Sequence, residues 1–328
     1  MESKITSQKS GEALQPAVAV VVPSYNHAPF IRSTLHSIFS QTLPPAELLV
    51  IDDGSSDRSP EIIEGILKDC PFPCELIVRA NRGLCATLNE GLVKTGGKYF
   101  AYLSSDDVWL AEFLEARVSC LEPRPQAVLA FGHCFLIDDQ NLIIDCTCDW
   151  ANSEYRDARR MLLQQTFAPM SPTVLYRRAP LEAERWDEQA KLEDYDLYLR
   201  LSIAGEFAFD PQVRSAWRKH AHNTSRDFSW MIEARLEAQR RVAERLDLSQ
   251  RELEHYQRVL RFAGAEDLCR LGQKAEALKL LKQSAGGAPS IPARLRLLAR
   301  LFVPNSLMMW RRRRKAQNAA ERYGPLVI

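Results

Sequence analysis

The chain has no glycine-rich phosphate loop: neither G-x-G-x-x-G nor G-x-x-x-x-G-K-S/T occurs in its 328 residues. That counts against a dinucleotide-dependent dehydrogenase and against a P-loop NTPase, which bring backbone amides to phosphate through such loops. Cysteine occurs eight times but never as C-x-x-C, so neither a zinc site nor a disulfide scaffold is favoured, and the thiols read as reduced and mostly buried. No segment approaches the ~18 consecutive apolar residues that span a bilayer. The polar leader MESKITSQKSGEALQP (1–16) lacks the apolar centre of a signal peptide, and the expected location is the cytoplasm. An excess of one charge is missing too: 43 Lys and Arg against 42 Asp and Glu leave +1, so no partner held by bulk charge, such as nucleic acid, is implied. What is present is a 46% hydrophobic content, enough for one large α/β domain with an appendage.

Ala17 to Val22 (AVAVVV) is a continuous apolar run, the pattern of a strand buried on both faces of a parallel sheet. Ile31, Leu35, Ile38 and Phe39 then share one face of an amphipathic helix. Glu47 to Ile51 (ELLVI) reads as a second strand, and Ser59-Pro60-Glu61 as a capped helix start. Glu75–Val78, a helix around Cys85–Val93, Tyr99–Leu103, a helix beginning near Trp109 and a strand over Ala127–Phe131 continue the alternation. This predicts a doubly wound, mostly parallel α/β sheet with helices on both faces. Further on the spacing predicts a helix over Tyr155–Gln165, an extended piece over 171–178 and a helix over 193–201. Beyond Ser225 only helix formers remain, so the expected units are the leader, a catalytic domain over 17–225 and a helical region over 226–328.

Asp52-Asp53 and Asp106-Asp107 each close a strand at its carboxyl end, where open α/β sheets bind ligands. Aspartate is also common in strand-to-helix turns, which is the plainer explanation of either pair. A carboxylate pair there suits a hard divalent cation such as Mg²⁺ or Mn²⁺ together with phosphate oxygens. Successive strand side chains point to opposite faces, so one acid of Asp106-Asp107 would hold the metal and the other would accept hydrogen bonds.

Four blocks in order, VVVPSYNHAPFIRSTLHSIFSQTLPPAELLVIDDGSSD (20–57), NRGLCATLNEGLVKTGGKYFAYLSSDDVW (81–109), LEDYDLYLRL (192–201) and WRKHAHNTS (217–225), together resemble a family 2 glycosyltransferase of GT-A fold. The resemblance implies an inverting, metal-dependent transfer from a nucleotide-sugar donor to a glycan or lipid-linked acceptor, in bacterial cell-surface polysaccharide or lipopolysaccharide assembly. It implies that Pro23, Ser24 and Tyr25 hold the nucleotide base, with Asp53 hydrogen-bonding it. Asp106-Asp107 resembles the family's D-x-D motif with Ser105 at its first position. That leaves Asp107 as the direct metal ligand and turns Asp106 toward the ribose or donor sugar. Asp194 matches the catalytic base, although it also reads as a first-turn acid complementing a helix dipole. His220 matches a histidine beside metal and diphosphate, next to Arg218 and Lys219, which would face an anionic leaving group; His222 is the lesser candidate. The acceptor side is expected from the segment between Trp150 and Asp187, including Met170 to Thr173.

In the tail, Leu297, Leu298, Leu301 and Phe302 share a helical side with Arg296 and Arg300 opposite, followed by Met308, Met309, Trp310 and five basic residues. This pattern suits peripheral contact with an anionic membrane on the inner face of the cell membrane. It equally suits an apolar side packed on the catalytic domain with a solvated basic end. Two rival functions would need different features. A nucleotidyltransferase should open with a glycine-rich basic loop, which VVPSYNHAPF lacks. A non-catalytic sugar-nucleotide-binding or scaffold module would be favoured if Asp194 lay far from the metal acids.

Overall fold

The computed structural model describes residues 17–151, 157–221, 223 and 227–327. The leader, the start expected for the helix at Tyr155, and His222 lie outside the described residues. The first half is the predicted alternation: β1 (Val18–Ser24), α1 (Ile31–Phe39), β2 (Glu47–Asp52), α2 (Ser59–Leu67), β3 (Cys74–Val78), α3 (Leu84–Lys94) and β4 (Tyr99–Tyr102). Within β1, Val18, Val20 and Val22 face α1 and α2, while Val21 faces α3, because strand side chains alternate. Both sets are fully buried, which is why the run shows no polar positions.

The second half departs from a simple alternation. After β5 (Val108–Trp109) and α4 (Phe113–Leu121) come β6 (Ala127–Ile137), β7 (Ile143–Cys146), α5 (Ala158–Gln164), β8 (Leu175–Arg177), α6 (Arg178–Glu184), α7 (Glu193–Ala204) and β9 (Glu206–Arg218). The nine strands form one sheet in the order β3-β2-β1-β4-β8-β6-β9-β5, with β7 on β6. β1, β2, β3 and β4 pair in parallel, as do β6 and β9; β8 runs antiparallel to both β4 and β6. Six strands therefore share one direction, and β5, β7 and β8 oppose it. Trp109 lies in β5 rather than starting a helix, and its indole N–H donates to the Pro172 carbonyl at 2.9 Å.

The remaining described residues are helical, as expected: α8 (Phe228–Val242), α9 (Gln250–Arg270), α10 (Lys274–Gln283), α11 (Ile291–Leu301) and α12 (Asn305–Tyr323). They are not a detached appendage. α8 sends Ala238 and Val242 into the core beneath the sheet and Ile232 and Leu236 into a separate helical core with Leu260, Leu268 and Leu297. At the other end, α12 lies along β7 and the turn after it, through Lys315–Asp145 at 2.9 Å and Arg322–Asp149 at 3.0 Å. Among the described residues, no helix is long and apolar enough to cross a membrane.

Candidate active site

Three co-directional strands end at one place, and the loops after them bring together residues remote in sequence. Past β1 comes His27, past β4 Asp106 and past β9 His220. His220 Nε2 shares a hydrogen bond with Asp106 Oδ2 at 2.9 Å, and His27 Nδ1 lies 3.8 Å from Asp106 Oδ1. One ligand atom from each of the three falls within 4.8 Å of the others. The imidazoles stand edge to face, with ring centroids 5.4 Å apart.

The acidic loop is held rigidly. The Thr34 hydroxyl of α1 lies within hydrogen-bond distance of the carbonyls of Ser105 and Asp107, at 3.0 and 2.8 Å. Arg218 clamps it from β9: its backbone N–H donates to Asp107 Oδ1 at 2.8 Å, its Nε to the Asp106 carbonyl at 2.8 Å, and its guanidinium stacks over Phe30. Arg218 is thus a buried positioning group, and it does not face a leaving group as expected.

The geometry places the two acids differently. A turn closed by the Asp107 N–H on the Ser104 carbonyl points Asp106 at the imidazoles and buries Asp107 under the Arg218 backbone. Burial, and then the neighbouring Asp106 charge, hold the Asp107 carboxyl well above the ordinary carboxylate range. It is Asp106, not Asp107, that shares a donor set with His27 and His220.

Asp194, in the first turn of α7, comes to the same end of β4. Tyr102, the last residue of that strand, places its hydroxyl 2.7 Å from each Asp194 oxygen. Burial first, and the adjacent Glu193 second, push Asp194 up to about 7, while the Tyr102 hydrogen bond pulls the other way. The helix dipole invoked from sequence is outweighed by desolvation. Asp196, on another side of α7, is spent on Arg200 at 2.9 Å.

The expected donor-side residues lie along the ends of β1 and β2. Tyr25 is exposed, with its ring open to solvent; Pro23 and Ser24 are buried, and the Ser24 hydroxyl donates to Asp52 at 3.1 Å. Asp53 accepts from the backbone N–H groups of Arg82 and Gly83, each at 2.8 Å, and pairs with Arg79. A carboxylate has about four acceptor sites, so at most one remains for a base. Of the segment expected at the acceptor side, Pro172 and Thr173 are buried, and their carbonyls accept from Trp109 and Arg117.

No sequence motif marks His27 or Tyr102 as a site residue. The available signal was position alone: both stand at or just past the carboxyl end of a strand of the binding edge. The donor set fits a divalent cation: one carboxylate oxygen and two imidazole nitrogens suit Mn²⁺ or a neighbouring first-row metal better than Mg²⁺, which prefers oxygen.

A mostly parallel, curled α/β sheet with helices around it is the architecture of the GT-A transferases. The chain belongs to glycosyl transferase family 2, whose profile matches residues 19–184. It is 28% identical over 168 residues to an uncharacterised glycosyltransferase of Nostoc sp., covering 50% of this chain and 52% of that protein. It is 30% identical over 125 residues to the putative teichuronic acid biosynthesis glycosyltransferase TuaG of Bacillus subtilis, covering 38% and 50%. The chain spans about half to two thirds of the length of these curated relatives. Among solved structures, the S. aureus TarS 1-349 complex with UDP-GlcNAc superposes with a TM-score of 0.55 at 16% identity, over 95% of this chain and 93% of that one. The mannosyltransferase PcManGT of Pyrobaculum calidifontis, in complex with GDP-Man and Mn²⁺, gives 0.60 at 20%, over 95% and 88%. Asp194 and His220 lie beyond the profile match.

Proposed function

We propose that the protein transfers a glycosyl unit, with inversion, from a nucleotide-sugar donor to a hydroxyl of a glycan or lipid-linked acceptor in the assembly of bacterial cell-surface polysaccharide. The observation that carries this reading is the convergence at the carboxyl end of β4: Asp106 between two histidines on one side, and Asp194 gripped by Tyr102 on the other. TuaG by its printed name, and TarS with UDP-GlcNAc, support the class of product and donor.

In this reading the nucleotide lies along the ends of β1 and β2. Tyr25 stacks on the base, Pro23 and Ser24 shape the floor beneath it, and Asp53 both anchors the 79–83 loop and offers its last acceptor site. His27, Asp106 and His220 would hold Mn²⁺ or Mg²⁺; when bound, the cation neutralises charge gathering on the diphosphate. Asp194 takes the proton from the acceptor hydroxyl as that oxygen forms its bond to the anomeric carbon. The bond from that carbon to the diphosphate oxygen breaks on the opposite face, and the nucleoside diphosphate leaves with the electron pair. Asp194 then returns its proton to water. A carboxyl raised to about 7 is matched to this task, because a base works best with a pKa near the working pH.

The test is thermal shift of the wild type and Asp106→Ala against a panel of nucleotide sugars, with and without Mn²⁺. Stabilisation by one nucleotide class that needs both the metal and Asp106 supports the reading. A wild type that no nucleotide stabilises, with or without metal, overturns it.

A further inference from the structure

Between Ile291 and Tyr323 the chain carries nine Arg and Lys residues and one acid. The chain-wide +1 therefore conceals +8 in this segment and −7 in the rest. α11 within it has two apolar sides, and the structure uses only one. Ala293 and Leu297 are buried in the helical core, with Leu301 packed beside them. The other side is Ile291, Leu295, Leu298 and Phe302, spaced four, three and four residues apart. At about 100° per residue these lie within roughly 60° of one another. Ile291 is 77% exposed, Leu295 60% and Phe302 86%. The apolar side read from sequence was thus a mixture, since two of its four members face inward.

After Pro304, α12 also leaves apolar side chains open. Met308 and Ala319 pack inward while Met309 and Trp310 stay open, and the Arg314 guanidinium lies 5.3 Å from the Trp310 ring centre. Single exposed apolar side chains are ordinary, but six on two consecutive helices, edged by a run of arginines, form a surface. Apolar side chains with tryptophan among cations match the boundary between lipid phosphates and acyl chains.

We infer that this face docks on an anionic phospholipid bilayer. The α11 stripe, with Met309 and Trp310, enters the headgroup and acyl boundary, and Arg313 and Arg314, on the same side of α12 as those two, meet lipid phosphates. Because one ion pair holds α12 to β7 and a second holds it to the turn that follows, and β7 pairs with β6 beside β9, the bilayer plane is tied to the strand whose end carries His220. This deepens the proposed use of a lipid-linked acceptor, and it rests on that reading only for its purpose, since vesicle binding is read without sugar transfer.

The experiment is co-sedimentation of the full chain with phosphatidylcholine vesicles and with vesicles containing phosphatidylglycerol. The wild type is expected to pellet only with the anionic vesicles, less so at high salt. Leu295→Glu/Phe302→Glu and Arg313→Glu/Arg314→Glu should each lose about tenfold or more in partitioning. These positions are exposed, so melting temperatures should be unchanged; if the first variant melts early, Phe302→Ser and Ile291→Ser singly carry the test. The inference is overturned if the wild type binds neither vesicle, or if the apolar variant pellets like the wild type. It is equally overturned if the apolar variant dissolves a self-associated form and leaves vesicle binding intact, for then the face belongs to a second copy.

Discussion

Asp194 is half-buried, and its surroundings, which raise its carboxyl, set a pH dependence. Glu193 and Tyr198 from α7, Tyr102 from β4, Tyr176 from β8 and Cys85 from α3 all surround it, with no cation among these groups. A base must be ionised to act, so kcat/KM should fall tenfold per pH unit below about 7. Tyr102→Phe removes a donor that favours the carboxylate, and the acid limb should therefore move to higher pH. An unmoved limb would show that Tyr102 is merely structural. Asp194→Asn should cost about 10²–10⁴ in kcat and leave metal-dependent donor stabilisation intact. A second prediction follows from the donor atoms at Asp106. Two imidazoles favour Mn²⁺ over Mg²⁺, so nucleotide-sugar thermal shifts should be larger with Mn²⁺, and His27→Ala should narrow the difference.

Between elements, the close approach of α3 to β1 depends on a missing side chain. A Cβ at Gly91 would stand 2.7 Å from Val21 Cγ1, inside the core under the sheet. Gly91→Ala should therefore destabilise the fold by about 1–3 kcal/mol, seen as a lower denaturation midpoint with an unchanged slope. Elements also differ in how legible they were. β1, β2 and β4 are short continuous apolar runs followed by helical periodicity, and they stand where the pattern put them. β9 passes through Asp210-Pro211, and its register against β6 shifts three times, so neither alternation nor a continuous run marks it. Ser59 read as a helix cap, but its hydroxyl instead donates to Asp57 at 2.6 Å and accepts from the His27 N–H at 3.1 Å, so it braces the site loop.

For the molecule as a whole, α8 joins two cores that the sequence separated at residue 225. A helix that buries Ile232 and Leu236 on one side and Ala238 and Val242 on the other couples their unfolding. Calorimetry should accordingly show one transition, and Leu236→Ala should lower it by the 2–5 kcal/mol typical of a buried leucine, roughly. Two well-separated peaks would mean that the helical region folds by itself.

The sequence by itself determined the parallel half of the sheet, the acidic turns at its carboxyl edge and the helical character beyond residue 225. These follow from local periodicity and from which residues a strand end accepts. Which acid meets the histidines, which side of α11 is left open and what raises Asp194 were decided only by the tertiary structure. His220 and Asp106 are 114 residues apart, and the burial that moves a carboxyl's proton affinity is the work of side chains from several elements at once. No window of sequence contains either fact, because distance and desolvation exist only after the chain has closed on itself.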